Sequence, residues 1–187
     1  MRKDFGPKTW LYPMPVLIIG TYDENGKPDV MNAAWGGTYD YNQIVISLGA
    51  HVTTENLRKN GAFTVSLGTL DLLEASDYVG LVSLKKEPNK IEKAGLHVIK
   101  SKFVNAPMFE EYPFTLECKV ISIDGEVGEG GILIGEVVNV SVDESVLTDD
   151  KIDMKKLKPI AFDAISNKYV LVNEAVGDAF KAGLKLK

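Results

Sequence analysis

The chain has 187 residues, 45% of them apolar and 25% charged, with a formal net charge of −5. Such a composition describes a globular domain that buries its own core, and the acidic balance argues against a nucleic-acid surface. One cysteine, Cys118, excludes an intrachain disulfide framework and fits a reducing cytoplasm.

Pro15–Tyr22 (PVLIIGTY) is a continuous apolar, β-branched run, which predicts a strand buried on both faces. Asn25-Gly26 then signals a hairpin, because both residues tolerate positive φ. The chain is expected to return antiparallel through 28–34 into PDVMNAAWGGTYD (28–40), a small-residue stretch where a strand should end and a turn begin. Gln43–Gly49 (QIVISLG) reads as a third strand. In HVTTENLRKNG (51–61), Thr53 with Asn56 three residues later is a weak capping box, and Gly61 is a stop, so a helix is expected at about 54–60. Ala62–Leu67 alternates cleanly, with Phe63, Val65 and Leu67 on one face.

A second helix is expected over Leu70–Leu81, followed at 85–95 by a polar loop with at most one helical turn. Phe114–Ile123 and Ile132–Val142 read as long strands joined by the glycine-rich DGEVGEGG. Cys118 shares a strand face with Phe114, Leu116 and Val120, which favours core packing over reactivity. Strands are expected again near Pro159–Asp163 and Tyr169–Val172, and 174–187 reads as a helical tail to a single domain spanning 1–187. Six or seven strands with hairpin connections suggest a mainly β fold with inserted helices, closed or partly closed as a barrel. A barrel this small holds little inside, so a ligand would sit at loops, at helix ends or between subunits.

Several kinds of chemistry have no visible apparatus. The run GEVGEGG leads into a strand and not into a helix, so it is no dinucleotide motif. His51 and His97 are far apart and lack partners at metal-ligand spacing. No serine lies in a G-x-S-x-G context. The basic clusters at 151–158 and in the last seven residues read as solvated faces. No apolar run approaches the ~18 residues of a membrane span, and MRKDFGPKTWLYPMPV lacks a signal-peptide core. A cytoplasmic protein without membrane or nucleic-acid partners is the expectation.

One constellation does suggest binding. The strand 43–49 runs through Gly49-Ala50-His51 into a helix that starts with threonines. A helix N-terminus offers free N–H groups and a positive dipole end, suited to phosphate. Thr53 either caps its own helix or helps to hold such an anion.

Taken together, PMPVLIIGTYDENGKPDVMNAAWGG (13–37), SLGAHVTTENLRKNGAFTVSL (47–67) and LECKV with IGEV (116–120, 134–137) resemble the flavin reductase-like family, nearest to its flavoredoxin-type members. The resemblance implies a split β-barrel of the FMN-binding type, with FMN along the barrel at a homodimer interface. It implies that Asn32, Ala33, Ala34 and Trp35 line the flavin, with a core or interface role as the alternative for Trp35. It also implies a phosphate site at Thr53, with His51 where relatives carry a basic residue and with Thr54 and Asn56 in support. Many relatives have an Asp-Lys pair after the second helix; Asn89-Lys90 stands here, which keeps the lysine as a cofactor contact and loses the acid. Phe162 falls where relatives set an aromatic against the flavin, or else it is a core residue.

The activity implied is that of an FMN oxidoreductase. NAD(P)H would serve as its transient reductant, and a flavin or another acceptor would take the electrons. The alternative is an electron-transfer protein with tightly held FMN, reduced by a redox protein partner.

Overall fold

The computed structural model describes residues 1–187, and β-strands dominate it. The chain enters through β1 (Met14–Pro15) and β2 (Leu17–Tyr22), turns at Asn25-Gly26 and returns as β3 (Pro28–Ala33). Two further strands, β4 (Gly36–Asp40) and β5 (Gln43–Leu48), lead to α1 (Val52–Asn60) and β6 (Ala62–Leu67). A 3₁₀ turn at Leu70–Leu72 runs into α2 (Leu73–Leu81), and one helical turn, α3 (Lys90–Lys93), follows. The short strands β7 (Val98–Lys100) and β8 (Pro107–Phe109) pair with each other before the long hairpin of β9 (Phe114–Ile123) and β10 (Gly131–Val142). Then come β11 (Leu147–Thr148), β12 (Lys151–Ile152) and α4 (Met154–Leu157), and finally β13 (Ile160–Asp163) and β14 (Lys168–Leu171).

Seven strands form one antiparallel sheet in the order β3-β2-β6-β9-β10-β5-β4. The sheet curls into the expected split barrel. Register shifts in the β9–β10 ladder and in β4–β5 supply part of the bend, since an extra residue sharpens local twist. β1, β13 and β14 make a separate three-stranded sheet.

Strand β2 explains the two cores. Its side chains alternate, so Leu17 and Ile19 enter one cluster with Leu48, Leu57, Phe63 and Cys118. Ile18 enters the other with Val30, Val79, Phe109 and Tyr112. A strand buried on both faces must be largely apolar, as Leu17, Ile18 and Ile19 are, and its buried Thr21 has a hydrogen-bond partner in Asn56. Cys118 is fully buried, and desolvation, then the charge of Glu117, pushes its thiol up to about 12.

Four local expectations change. The run 15–22 divides at Val16, because Met14 and Pro15 pair with β13 while Leu17 onward joins β3 and β6. The stretch after Ala34 is not a terminal turn but a corner leading into β4. Helix α1 begins at Val52 with His51 in the N-cap position, so Thr53 sits inside the first turn and forms no capping box. The tail 174–187 contains a 3₁₀ segment, Ala182–Leu186, in place of an α-helix. Gly61 does end α1 as expected, at φ 64, a left-handed conformation that glycine adopts without a Cβ penalty.

Candidate functional site

Strands β3 and β4 are neighbours in sequence yet lie at opposite edges of the seven-stranded sheet. Ala34 and Trp35 therefore carry the chain across the seam of the barrel. The Trp35 carbonyl accepts a hydrogen bond from Ser47 N–H at 2.7 Å, which pins the corner to β5. Gly36 allows the corner to close: a Cβ there would lie 2.8 Å from Leu17 Cδ1 and 2.9 Å from the Val45 carbonyl oxygen. Trp35 itself remains 53% exposed.

Along this seam runs a cleft with two chambers. One, of about 380 Å³, is lined by Asn32, Ala33, Ala34, Trp35, Phe162 and Tyr169, among others. The second, of about 470 Å³, is lined by Asp29, His51, Thr53, Ser83, Lys85 and Lys90, among others. Met31, Asn32, His51, Gly80 and Leu81 line both, which makes them parts of one cleft.

The first chamber is aromatic. Phe162 stands between Trp35 and Tyr169, with ring centroids 6.2 Å from each, at tilted angles. The Tyr169 hydroxyl donates to Asp77 Oδ1 at 2.7 Å. Desolvation, then the bond and charge of Asp77, push this phenol up to about 12 against an opposing bond from Asn32. Asn32 Nδ2 donates to the Ser76 carbonyl at 2.8 Å and so ties β3 to α2.

The second chamber is polar. The first intrahelical bond of α1 runs from Glu55 N–H to the His51 carbonyl at 3.3 Å. The N–H groups of Val52, Thr53 and Thr54 precede it and point out of the helix end, and no side chain caps them. Deep in the same chamber the Lys90 ammonium lies 2.8 Å from Asp29 Oδ1. Asp29 is 1% exposed and Lys90 2%. Thr53 Oγ1 donates to the second oxygen, Asp29 Oδ2, at 2.7 Å. The structure contains no group of three or more His, Cys, Asp or Glu arranged to hold a metal ion.

Of the residues singled out by sequence, Asn32, Ala33, Ala34, Trp35, His51, Thr53, Lys90 and Phe162 line this cleft. Thr54 and Asn56 do not. Their side chains turn into the protein: Thr54 donates to the Gly49 carbonyl at 2.8 Å and Asn56 to Thr21 Oγ1 at 3.1 Å. Their part is to hold α1 against the barrel. Lys90 departs from the ordinary solvated lysine, since it is buried and paired. Asp29, Asp77, Gly80 and Tyr169 also line the cleft and were not anticipated. An acidic residue in a strand was the available signal for Asp29, because carboxylates are depleted there. Tyr169 and Asp77 are 92 positions apart, and no sequence pattern joins them.

Comparison with known proteins gives a consistent result. A family model described as a flavin reductase like domain matches residues 10–158. The flavoredoxin of Desulfovibrio vulgaris (Miyazaki F) is similar at 35% identity and TM-score 0.90, over 98% of this chain and 100% of that one. A flavoredoxin from Methanosarcina acetivorans is similar at 27% identity and TM-score 0.88, over the full length of both chains. An uncharacterized protein of Archaeoglobus fulgidus is 33% identical over 135 residues, which cover 71% of this chain and 74% of its own length.

Proposed function

The chain belongs to the flavin reductase-like family, and on that premise we propose that it is an FMN oxidoreductase that takes electrons from NAD(P)H and passes them to a flavin or another acceptor. The observation that supports this most is the two-ended chemistry of the seam cleft. A flat aromatic ligand with a phosphate tail needs an aromatic chamber joined to one rich in donors, and the aromatic and polar chambers of the cleft support that reading.

Trp35 and Phe162 would cover the ring and keep water from its face. Ala33 and Ala34 leave room for close approach to the backbone. The free N–H groups of α1 and the Lys90 ammonium would hold the phosphate, with His51 beside them. When bound, the flavin supplies the redox chemistry, and the protein sets its position and potential. No side-chain nucleophile is required for this reading, which agrees with a buried and unreactive Cys118.

A homodimer that completes the cleft belongs to the same reading. Trp35, Tyr39 and Tyr41 are exposed at the seam and on the adjoining β4–β5 hairpin, where a second copy would cover them. So does a cytoplasmic setting, given the free thiol. The second reading is an electron carrier reduced by a protein donor, favoured by the full-length likeness to flavoredoxins.

An anaerobic absorbance spectrum, before and after NADH or NADPH is added, tests both readings. Flavin bands that bleach with a nicotinamide support the first. Bands that persist with both nucleotides yet bleach with dithionite support the second. A colourless protein that takes up no added FMN refutes both.

A further inference from the structure

The polar chamber contains an unexpected piece of construction. Lys90 lies on α3, in a loop region distant in sequence from both β3 and α1, yet its ammonium is buried against Asp29 of β3. Its sequence neighbour is Asn89, so the acid that holds it comes from 61 positions away, as the numbering of the pair shows. An ammonium has three donors. One reaches the Val82 carbonyl at 3.4 Å, while Asp29 Oδ1 lies 2.8 Å from the ammonium as an ion pair outside hydrogen-bond geometry. No other protein acceptor bonds to the ammonium, and Lys90 lines the cleft.

Asp29 does more than neutralise this charge. Its other carboxylate oxygen accepts from Thr53 Oγ1 at 2.7 Å, in the first turn of α1. One buried carboxylate therefore fixes both anion-holding devices of the chamber, the lysine and the open helix end. It also cancels much of the charge that a free lysine would bring. Asp29, Glu55, Lys85 and Lys90 all line this chamber, two of each sign. Gross charge does not make it an anion site; what it offers is donors held in fixed directions.

We propose that Asp29 is the positioning residue of a phosphate subsite, locking Lys90 and the N-terminus of α1 into one rigid cradle for a phosphomonoester. This rests on the flavin reading of the cleft. It extends that reading by naming the residue that makes the cleft select the phosphorylated flavin over the dephosphorylated one. The ligand touches Lys90 and the helix end, and Asp29 acts through them.

Charge and position make opposite predictions for Asp29→Asn. If attraction alone mattered, removing a negative charge beside the phosphate would tighten FMN binding. If position matters, the released Lys90 loses its direction and FMN binding weakens by roughly tenfold to a hundredfold, the scale of one charge-assisted hydrogen bond. Thr53→Val repeats the test without changing any charge, since it cuts only the Thr53–Asp29 bond.

The experiment is titration of the full-length apoprotein and both variants with FMN and, separately, riboflavin, with circular dichroism to establish that each variant is folded. The expected result is that the wild type prefers FMN and that both variants lose FMN affinity while riboflavin affinity holds. An unfolded Asp29→Asn leaves Thr53→Val to decide. Unchanged or tighter FMN binding in the folded variants overturns the proposal. Equal weakening of both flavins overturns it too, because Asp29 would then serve the fold and not the phosphate. A wild type that binds both flavins equally shows that no phosphate subsite exists. If the wild type binds neither, the flavin reading fails as well, and the unmutated protein alone reveals it.

Discussion

Replacing Lys90 with methionine removes the ammonium from Asp29 and leaves a flexible side chain that fills most of the space. Asp29 stays buried, with its side chain 1% exposed, and that of Lys90 is 3% exposed, so solvent screening does little for either partner. Removing one member of such a pair costs about 3–5 kcal/mol, because the carboxylate is left in a dry site without its counter-charge. The bond from Thr53 Oγ1 survives the substitution and brings the expected cost towards the lower end of that range. For a domain of this size each kcal/mol moves the melting midpoint by about 2–4 °C, so a fall of roughly 6–20 °C is expected. Urea denaturation followed by circular dichroism measures the change directly, with an unaltered slope showing that the same folded state is being compared. The variant Asp29→Leu with Lys90→Met should recover most of the loss, since two apolar groups carry no unpaired charge. A single variant as stable as the wild type would mean that the pair is solvated in solution, and the argument for a rigid cradle would fail with it.

Two further outcomes follow from local geometry and charge. Gly36→Ala places a Cβ 2.9 Å from the Val45 carbonyl oxygen and 2.8 Å from Leu17 Cδ1, whereas a Cβ at Gly37 meets nothing within 4 Å. Gly36→Ala should cost about 1–3 kcal/mol as an overpacked site, and Gly37→Ala should stay within about half a kcal/mol; equal denaturation midpoints would contradict this account of the corner. The third prediction concerns His97, which the hydrogen bond it donates to Glu111, then that residue's charge, holds above its ordinary 6.5. Burial pushes Glu111 up, but bonds from the His97 backbone N–H and ring outweigh it and leave the carboxyl below 4.5. A raised histidine contributes stability that is present below about 6.5 and lost as pH rises through its folded value. A lowered carboxyl contributes stability that is present above about 4.5 and lost as pH falls through its own. His97→Gln should therefore lower the melting midpoint most between those limits, with a smaller gap at high salt because the pair is largely exposed. An identical gap at pH ~5.5 and pH ~9 would refute the linkage.

Much of the architecture was legible in the residues because it depends on short-range pattern. Alternation marked β6 and the inner face of β9, and the apolar run through Leu17, Ile18 and Ile19 marked β2 as a strand covered on both sides. Gly61 ended α1 where a left-handed residue was needed. The small residues at 32–37 marked a place of close approach, though what they approach is a matter of topology. Only the folded sheet places β3 and β4 at opposite edges and makes Ala34–Trp35 the bridge across the seam.

The polar chemistry was less legible. Thr53, Thr54 and Asn56 stand together at a helix start, and sequence gives all three the same part. The fold separates them, turning Thr54 to the Gly49 carbonyl just past β5, Asn56 to Thr21 of β2 and Thr53 to the cleft-lining Asp29 of β3. The missing acid beside Lys90 is another case, for it is supplied by a strand far away in the chain. Pattern along a chain reports which face of an element is apolar, because burial of that face is set by the element's own period. It does not report which buried polar groups meet, because a hydrogen bond or ion pair needs two side chains within about 3 Å, and that coincidence arises only once distant elements have packed. The sequence by itself thus determined a curled β fold with a small-residue strip after its second long strand and a helix opening just past His51. The tertiary structure decided that the strip spans a barrel seam, that Tyr169 and Asp77 share its aromatic chamber, and that Asp29 holds the lysine in place.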